Sequence, residues 1–100
     1  MEMRPPFTLV TPKRILREIE EYAQAAIIAK QFGDFKRTLQ VMVEGLELDP
    51  TAFGDLQTHL KKMKVDQYIA AHGPWAFTYG VHAERKLVFI RFVNYSQSAD

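Results

Sequence analysis

Two periodicities divide the chain. From residue 15 to residue 46 apolar residues recur every three or four positions. From residue 75 onward they alternate or run together. In the first region Ile15, Ile19, Tyr22, Ala26 and Ala29 form one stripe, with Leu16, Ala23 and Ile27 beside it and Arg17, Glu20, Glu21 and Gln24 opposite. That spacing predicts an amphipathic helix of about five turns. Thr11 carries the hydroxyl an N-cap uses, Pro12 suits the first helical position, and Val10 and Ile15 can staple across the cap. Arg14 stands where a capping-box glutamate would be. Gly33 is a natural left-handed terminator and Asp34 a cap for a second helix, whose stripe is Phe35, Leu39, Met42, Val43 and Leu46 and which stops at Asp49-Pro50. So short a connection makes the pair an antiparallel hairpin, with one stripe left to bury on a sheet.

The strands come mostly from the other end. Phe7 to Val10 alternates behind Pro5-Pro6 and predicts a short opening strand. Thr51 to Lys64 stays open between a third helix, with Phe53, Leu56, Leu60 and Met63 on its face, and a turn with a short irregular helix. Val65 to Ala71 reads as a strand, and His72-Gly73-Pro74 turns into the run from Trp75 to Val81. There Trp75, Phe77, Tyr79 and Val81 alternate with the smaller Ala76, Thr78 and Gly80. The last run differs: Val88, Ile90 and Phe92 line one face, and Leu87, Phe89 and Val93 the other, with Arg91 as the only charge. A strand apolar on both faces needs cover on both, and two helices cover one. The expected fold is therefore α+β, in the order β-α-α-β-β-β. A helical hairpin packs on one face of a four-stranded, mainly antiparallel sheet, in a single domain over 1–100 with a flexible tail at 94–100.

Composition narrows the function classes more than it selects one. An apolar content of 47% and a charged content of 25% describe a globular chain. There are no cysteines, which removes disulfides and thiolate chemistry. No apolar run is long enough to span a bilayer, and the MEMRPPF start lacks a signal-peptide core. The reading is a cytoplasmic protein with nothing removed and no membrane partner. A net charge of +1 is low for a dedicated nucleic-acid binder. There is no Gly-rich phosphate loop, no nucleophile elbow and no metal-ligand spacing among His59, His72 and His82, so no cofactor or metal is expected.

The element order resembles the RelE/ParE superfamily, the toxin halves of bacterial type II toxin–antitoxin modules. The resemblance rests on FTLV followed by KRILREIEEYA, on Leu46 to Pro50 closing the second helix, on Phe53-Gly54-Asp55-Leu56 with Leu60, and on the closing WAFTYGVHAERKLVFIRFV. It implies a toxin-like protein neutralised by a cognate antitoxin, which would cover the second sheet face at Leu87, Phe89 and Val93. Its action would check growth through the ribosome and mRNA or through DNA gyrase. It also admits a non-catalytic regulator or dimerisation module with a second copy of the chain as partner. Members that cleave mRNA use lysines after the second helix and arginines in and beyond the last hairpin. Lys61, Lys62 and Lys64 stand near the first place, but Ala76 and Ser96 fall at the arginine positions, with Arg91 and Tyr95 close by. Whether the chain is an enzyme stays open. If it is one, it is a ribosome-dependent endoribonuclease.

Each candidate has a plainer role beside the chemical one. His72 is a general base or a turn histidine, and Lys61, Lys62 and Lys64 grip phosphate or form a solvated face. Arg91 pairs with an acid or lies on an open face to meet an anion, Tyr95 is a general acid or packs on the sheet edge, and Trp75, Phe77 and Tyr79 stack on bases or fill the core.

Overall fold

The computed structural model describes residues 5–96. The chain runs β1 (Thr8–Val10), α1 (Lys13–Ile28), α2 (Phe32–Leu48), α3 (Pro50–Phe53), β2 (Asp55–Leu60), a 3-10 turn at Lys61–Met63, β3 (Val65–His72), β4 (Trp75–His82) and β5 (Leu87–Tyr95). The α+β expectation holds, with the helices packed on the sheet, but the sheet has five strands rather than four, in the order β1-β5-β4-β3-β2. β1 joins the meander's edge parallel to β5, and the other pairings are antiparallel.

The extra strand comes from the segment left open at 51–64. Asp49 accepts from the Ala52 amide at 3.2 Å and from the Thr51 hydroxyl at 3.0 Å, and Pro50 sits at the start of α3. This capped single turn ends at Gly54, where an added Cβ would collide with the Tyr79 hydroxyl. β2 then leaves in an extended conformation. Its Leu56 and Leu60 share helical spacing, but they belong to an edge strand interrupted by a bulge between Leu56 and Thr58. An almost wholly exposed strand carries no alternation of buried and exposed positions to betray it.

The helix ends also differ from expectation in detail. Pro12 itself is the N-cap residue of α1, and Thr11 makes no side-chain cap. At the far end Lys30, not Gly33, takes the left-handed conformation (φ 60°). The Gln31 amide bonds the Ala26 carbonyl at 2.8 Å and the Lys30 amide the Ile27 carbonyl at 3.1 Å, a Schellman closure. Gly33 and Asp34 lie inside the first turn of α2, where the acid favours the positive helix end.

The core sits between the helices and one sheet face. Ile15, Ala26, Phe35, Met42 and Leu46 meet Tyr68, Ala70, Trp75, Phe77, Tyr79, Val81, Val88, Ile90, Val93 and Tyr95. The last two correct the sequence reading of β5. Tyr79 pairs with Ile90 but Thr78 pairs with Phe92, so Arg91 is an extra residue in the strand. A bulge of this kind reverses which side chains face which way beyond it. Phe92 therefore leaves the face of Val88 and Ile90, and Val93 and Tyr95 take up that face. β5 runs on through Asn94 and Tyr95, which pair with Ala76 and Trp75, so these two residues are strand and not the expected tail. Its remainder at 97–100 lies outside the described residues.

Candidate functional site

Opposite the helices the sheet presents a second face, and its shape follows from β4. On this side β4 carries Ala76, Thr78, Gly80 and His82, which are small except at the end. Gly80 has to be small: a Cβ there would come within 2.6 Å of the Val65 side chain, which leans over it. On one flank stand Phe89 and Phe92 of β5, with Pro12 and Arg14 from the start of α1 rising beyond them. On the other stand Leu60, Met63 and Val65 around the β2–β3 turn. Together they enclose an apolar groove of about 460 Å³. Its rim is wet, with Phe92 56% and Met63 63% exposed, so it is a surface trough and not a closed cavity.

The two charged side chains that line the trough, Arg14 and Arg91, are both cationic. The Arg14 guanidinium donates to the Arg91 carbonyl at 2.9 Å and lies 5.6 Å over the Phe92 ring, a cation–π contact. Glu18, one turn on, approaches Arg14 only to 4.0 Å. Arg91 reaches across β4 to Gln67 on β3 and donates to its side-chain oxygen at 3.2 Å. That partner is neutral. His82 accepts from the Arg85 amide on Nδ1 at 3.2 Å, which leaves Nε2 to carry the proton of the neutral ring. No acidic side chain is among the residues that line the groove.

Of the residues singled out in the sequence, the fold gathers some here and disperses others. Arg91 and Phe89 line the groove, Leu87 lies on the same face beside Thr8, and Lys61 and Lys62 belong to the turn that supplies the Leu60–Met63 wall. Lys64 follows in the left-handed conformation at φ 53°. Val93 is not part of a partner face; it is buried under the helices because of the bulge. Tyr95 packs in the core within 4.8 Å of Trp75 and 5.2 Å of Phe35, ring centre to ring centre, on the side of the sheet away from the groove. Trp75, Phe77 and Tyr79 fill the same core. His72 lies exposed at the far end of β3, seven residues from Val65, which is about 24 Å along a strand. Tyr95 and His72, the proton-transfer candidates read from the sequence, are thus apart from Arg91, and His82 is the imidazole that lines its groove.

The sequence reading missed Phe92, Arg14, Gly80, Met63 and His82 as groove residues. Nothing local marks Phe92, because its direction is set by the inserted Arg91. Arg14 offered a signal in its place on the first turn, where an acid would ordinarily favour the helix. A separate pair was missed too: the His59 Nδ1 lies 2.6 Å from the Asp66 carboxylate across β2 and β3, on the outer edge of the sheet. Its members are seven residues apart and meet only through strand pairing.

Two tyrosines complete the electrostatics on the covered face. The Tyr79 hydroxyl donates to the Pro50 carbonyl at 2.6 Å. Burial, then the neighbouring Tyr68, Asp55 and Asp49, push its pKa well above the ordinary tyrosine value. Tyr68, stacked on it at 5.8 Å, is raised by burial and by Asp66 and Asp49. Among the described residues no group of three or more His, Asp or Glu side chains gathers as metal ligands would, and no helix is long and apolar enough to cross a membrane. Comparison with protein-family models, with curated proteins and with solved structures gives no match to this chain.

Proposed function

We propose that this chain is the toxin-like half of a type II toxin–antitoxin module, and that its first molecular act is to bind a cognate antitoxin over the open sheet face. The observation that carries the reading is the apolar groove rimmed by Phe89, Phe92, Leu60 and Met63, with Arg91 set in it beside a neutral partner. Apolar surface of this kind, concave and lined by one sign of charge, is what a protein partner covers. The α+β order and the parallel pairing of β1 with β5 are in keeping with the resemblance. Expression of the chain alone should arrest growth, and co-expression with the product of the adjacent open reading frame should relieve the arrest and yield a co-purifying complex. A harmless chain that stays alone in that experiment would leave the regulator or dimerisation reading in its place.

One observation favours a second reading, cleavage of mRNA on the ribosome. The Lys61–Lys64 turn supplies the Leu60–Met63 wall of the groove that Arg14 and Arg91 line, with no acid among the lining residues. Against it stands the placement of Tyr95 in the core and of His72 at the far end of β3, which takes both expected proton-transfer residues away from Arg91. Growth arrest without new mRNA ends by primer extension would eliminate cleavage and leave a binding target, of which DNA gyrase is the candidate.

A further inference from the structure

We propose that the open-face groove recognises a carboxylate-bearing apolar segment of a partner protein, with Arg91 as the anchor for the carboxylate and Arg14 as the residue that positions it. The inference rests on the partner-binding reading for the source of the segment, and on the groove's own chemistry for its character.

The argument starts from Arg91. A guanidinium has five N–H donors and no acceptor, and the Gln67 oxygen takes one of them. The side chain lines the groove and crosses β4 to Gln67, the sheet partner of Gly80, which leaves its other donors for an occupant. Arg14 fixes the backbone from which Arg91 springs, through its bond to the Arg91 carbonyl, and covers one face of Phe92. Both cations are exposed beside Leu60, Met63, Val65, Phe89 and Phe92, so a carboxylate that reaches them can lay its own apolar neighbours against these side chains.

The apolar walls decide between anions. A phosphodiester strand would lay polar sugar and phosphate along five apolar side chains, and the chain's net charge of +1 gives little of the field such a strand needs. A peptide segment with one glutamate or aspartate between apolar residues meets both demands. Its acid takes the fork of Arg91 and its apolar side chains lie against Phe89 and Phe92 on one side and Met63 on the other. The wet rim at Phe92 and Met63 suits a segment that runs across the trough rather than a ligand enclosed by it.

The test uses the full chain, isotopically labelled, titrated with a short capped peptide in which one glutamate stands among leucine and serine. Its glutamine counterpart and inorganic phosphate are the comparison probes. The glutamate peptide should shift the amides of Gly80, Phe89 and Phe92 and bind roughly tenfold to a hundredfold more tightly than the glutamine peptide. Arg91→Met should bring the two peptides level, and Arg91→Lys should restore part of the preference as a point charge without the fork. Gln67→Glu offers a carboxylate from within and should also erase the preference while leaving the bulge residue in place, so the outcome does not depend on Arg91→Met folding. Equal binding of the two peptides to the unmodified chain would overturn the proposal, as would phosphate matching the glutamate peptide at the same amides. Failure of the toxin reading looks different: no capture of the neighbouring gene product, with the peptide preference intact. Failure of the anchor alone appears as capture that Arg91→Met does not weaken.

Discussion

The two faces of the sheet share the nine residues of β5 yet were built by opposite rules. On the covered face every position is decided by packing. Trp75 is 1% exposed, it touches the rings of Tyr22, Phe35, Phe77 and Tyr95, and its indole N–H donates to the Thr38 hydroxyl at 3.1 Å. On the open face the apolar side chains have fewer neighbours, and small residues on β4 hold space open between them. The first face explains why the molecule folds. The second leaves Phe89, Phe92 and Met63 around a trough whose floor is Gly80. One inserted residue, Arg91, separates these roles: it hands Val93 and Tyr95 to the core and leaves Phe92 outside.

The contrast can be broken most severely at that insertion. A second extra residue, an alanine inserted directly after Phe92, would shift the alternation by one and turn Val93 and Tyr95 outward, with an expected loss of about 3–6 kcal/mol from two unburied side chains. Urea unfolding should show it as a large fall in midpoint or as no folded state. Next comes Trp75→Ala, which empties the centre of the covered face and should cost about 3–5 kcal/mol by the same measurement.

Tyr79→Phe probes the corner beneath α3 and should cost about 1–2 kcal/mol, because the Pro50 carbonyl loses its donor in a buried place. Its pH dependence has a definite sign. The folded-state pKa of Tyr79 lies above the unfolded value of about 10, so the unfolded chain releases this proton first as pH rises. The tyrosine's stabilising share is complete below pH about 10 and is lost as pH climbs from there toward the folded-state pKa. Alkaline unfolding should therefore be steeper for the natural chain than for Tyr79→Phe. Smallest of all is Phe92→Ser on the open face. Stability should stay within about 0.5 kcal/mol, while binding of the glutamate peptide or of the captured partner falls. If it unfolds the protein instead, the open face belongs to the core and the comparison fails.

Much of this was legible from the residues alone because the signals were local. The 3.6-residue stripes of α1 and α2, the Asp49-Pro50 stop and the alternation of β4 each depend on neighbours a few positions away. The opening strand's place at the meander's edge followed from connectivity. What escaped depends on distant pairing. β2 is exposed and bulged, so its stabilisation is backbone bonding to β3, which leaves no hydrophobic pattern. The direction of Phe92 hangs on a register shift that β4 reveals and β5 does not. The groove was half visible: Arg91, Phe89 and Leu87 stood out, and the wall from Met63 and Arg14 needed the third dimension.

The outermost strand has a cost that its neighbours do not. β2 offers a bare row of amides and carbonyls on its free side, an invitation to stack copy upon copy into fibres. Two devices already noted discourage this. The irregularity at Leu56–Thr58 spoils the flatness that stacking requires, and Lys61 and Lys62 place like charges at the strand's end, where successive molecules would bring them together. The same turn that walls the groove therefore also helps to keep the protein from polymerising through its own margin.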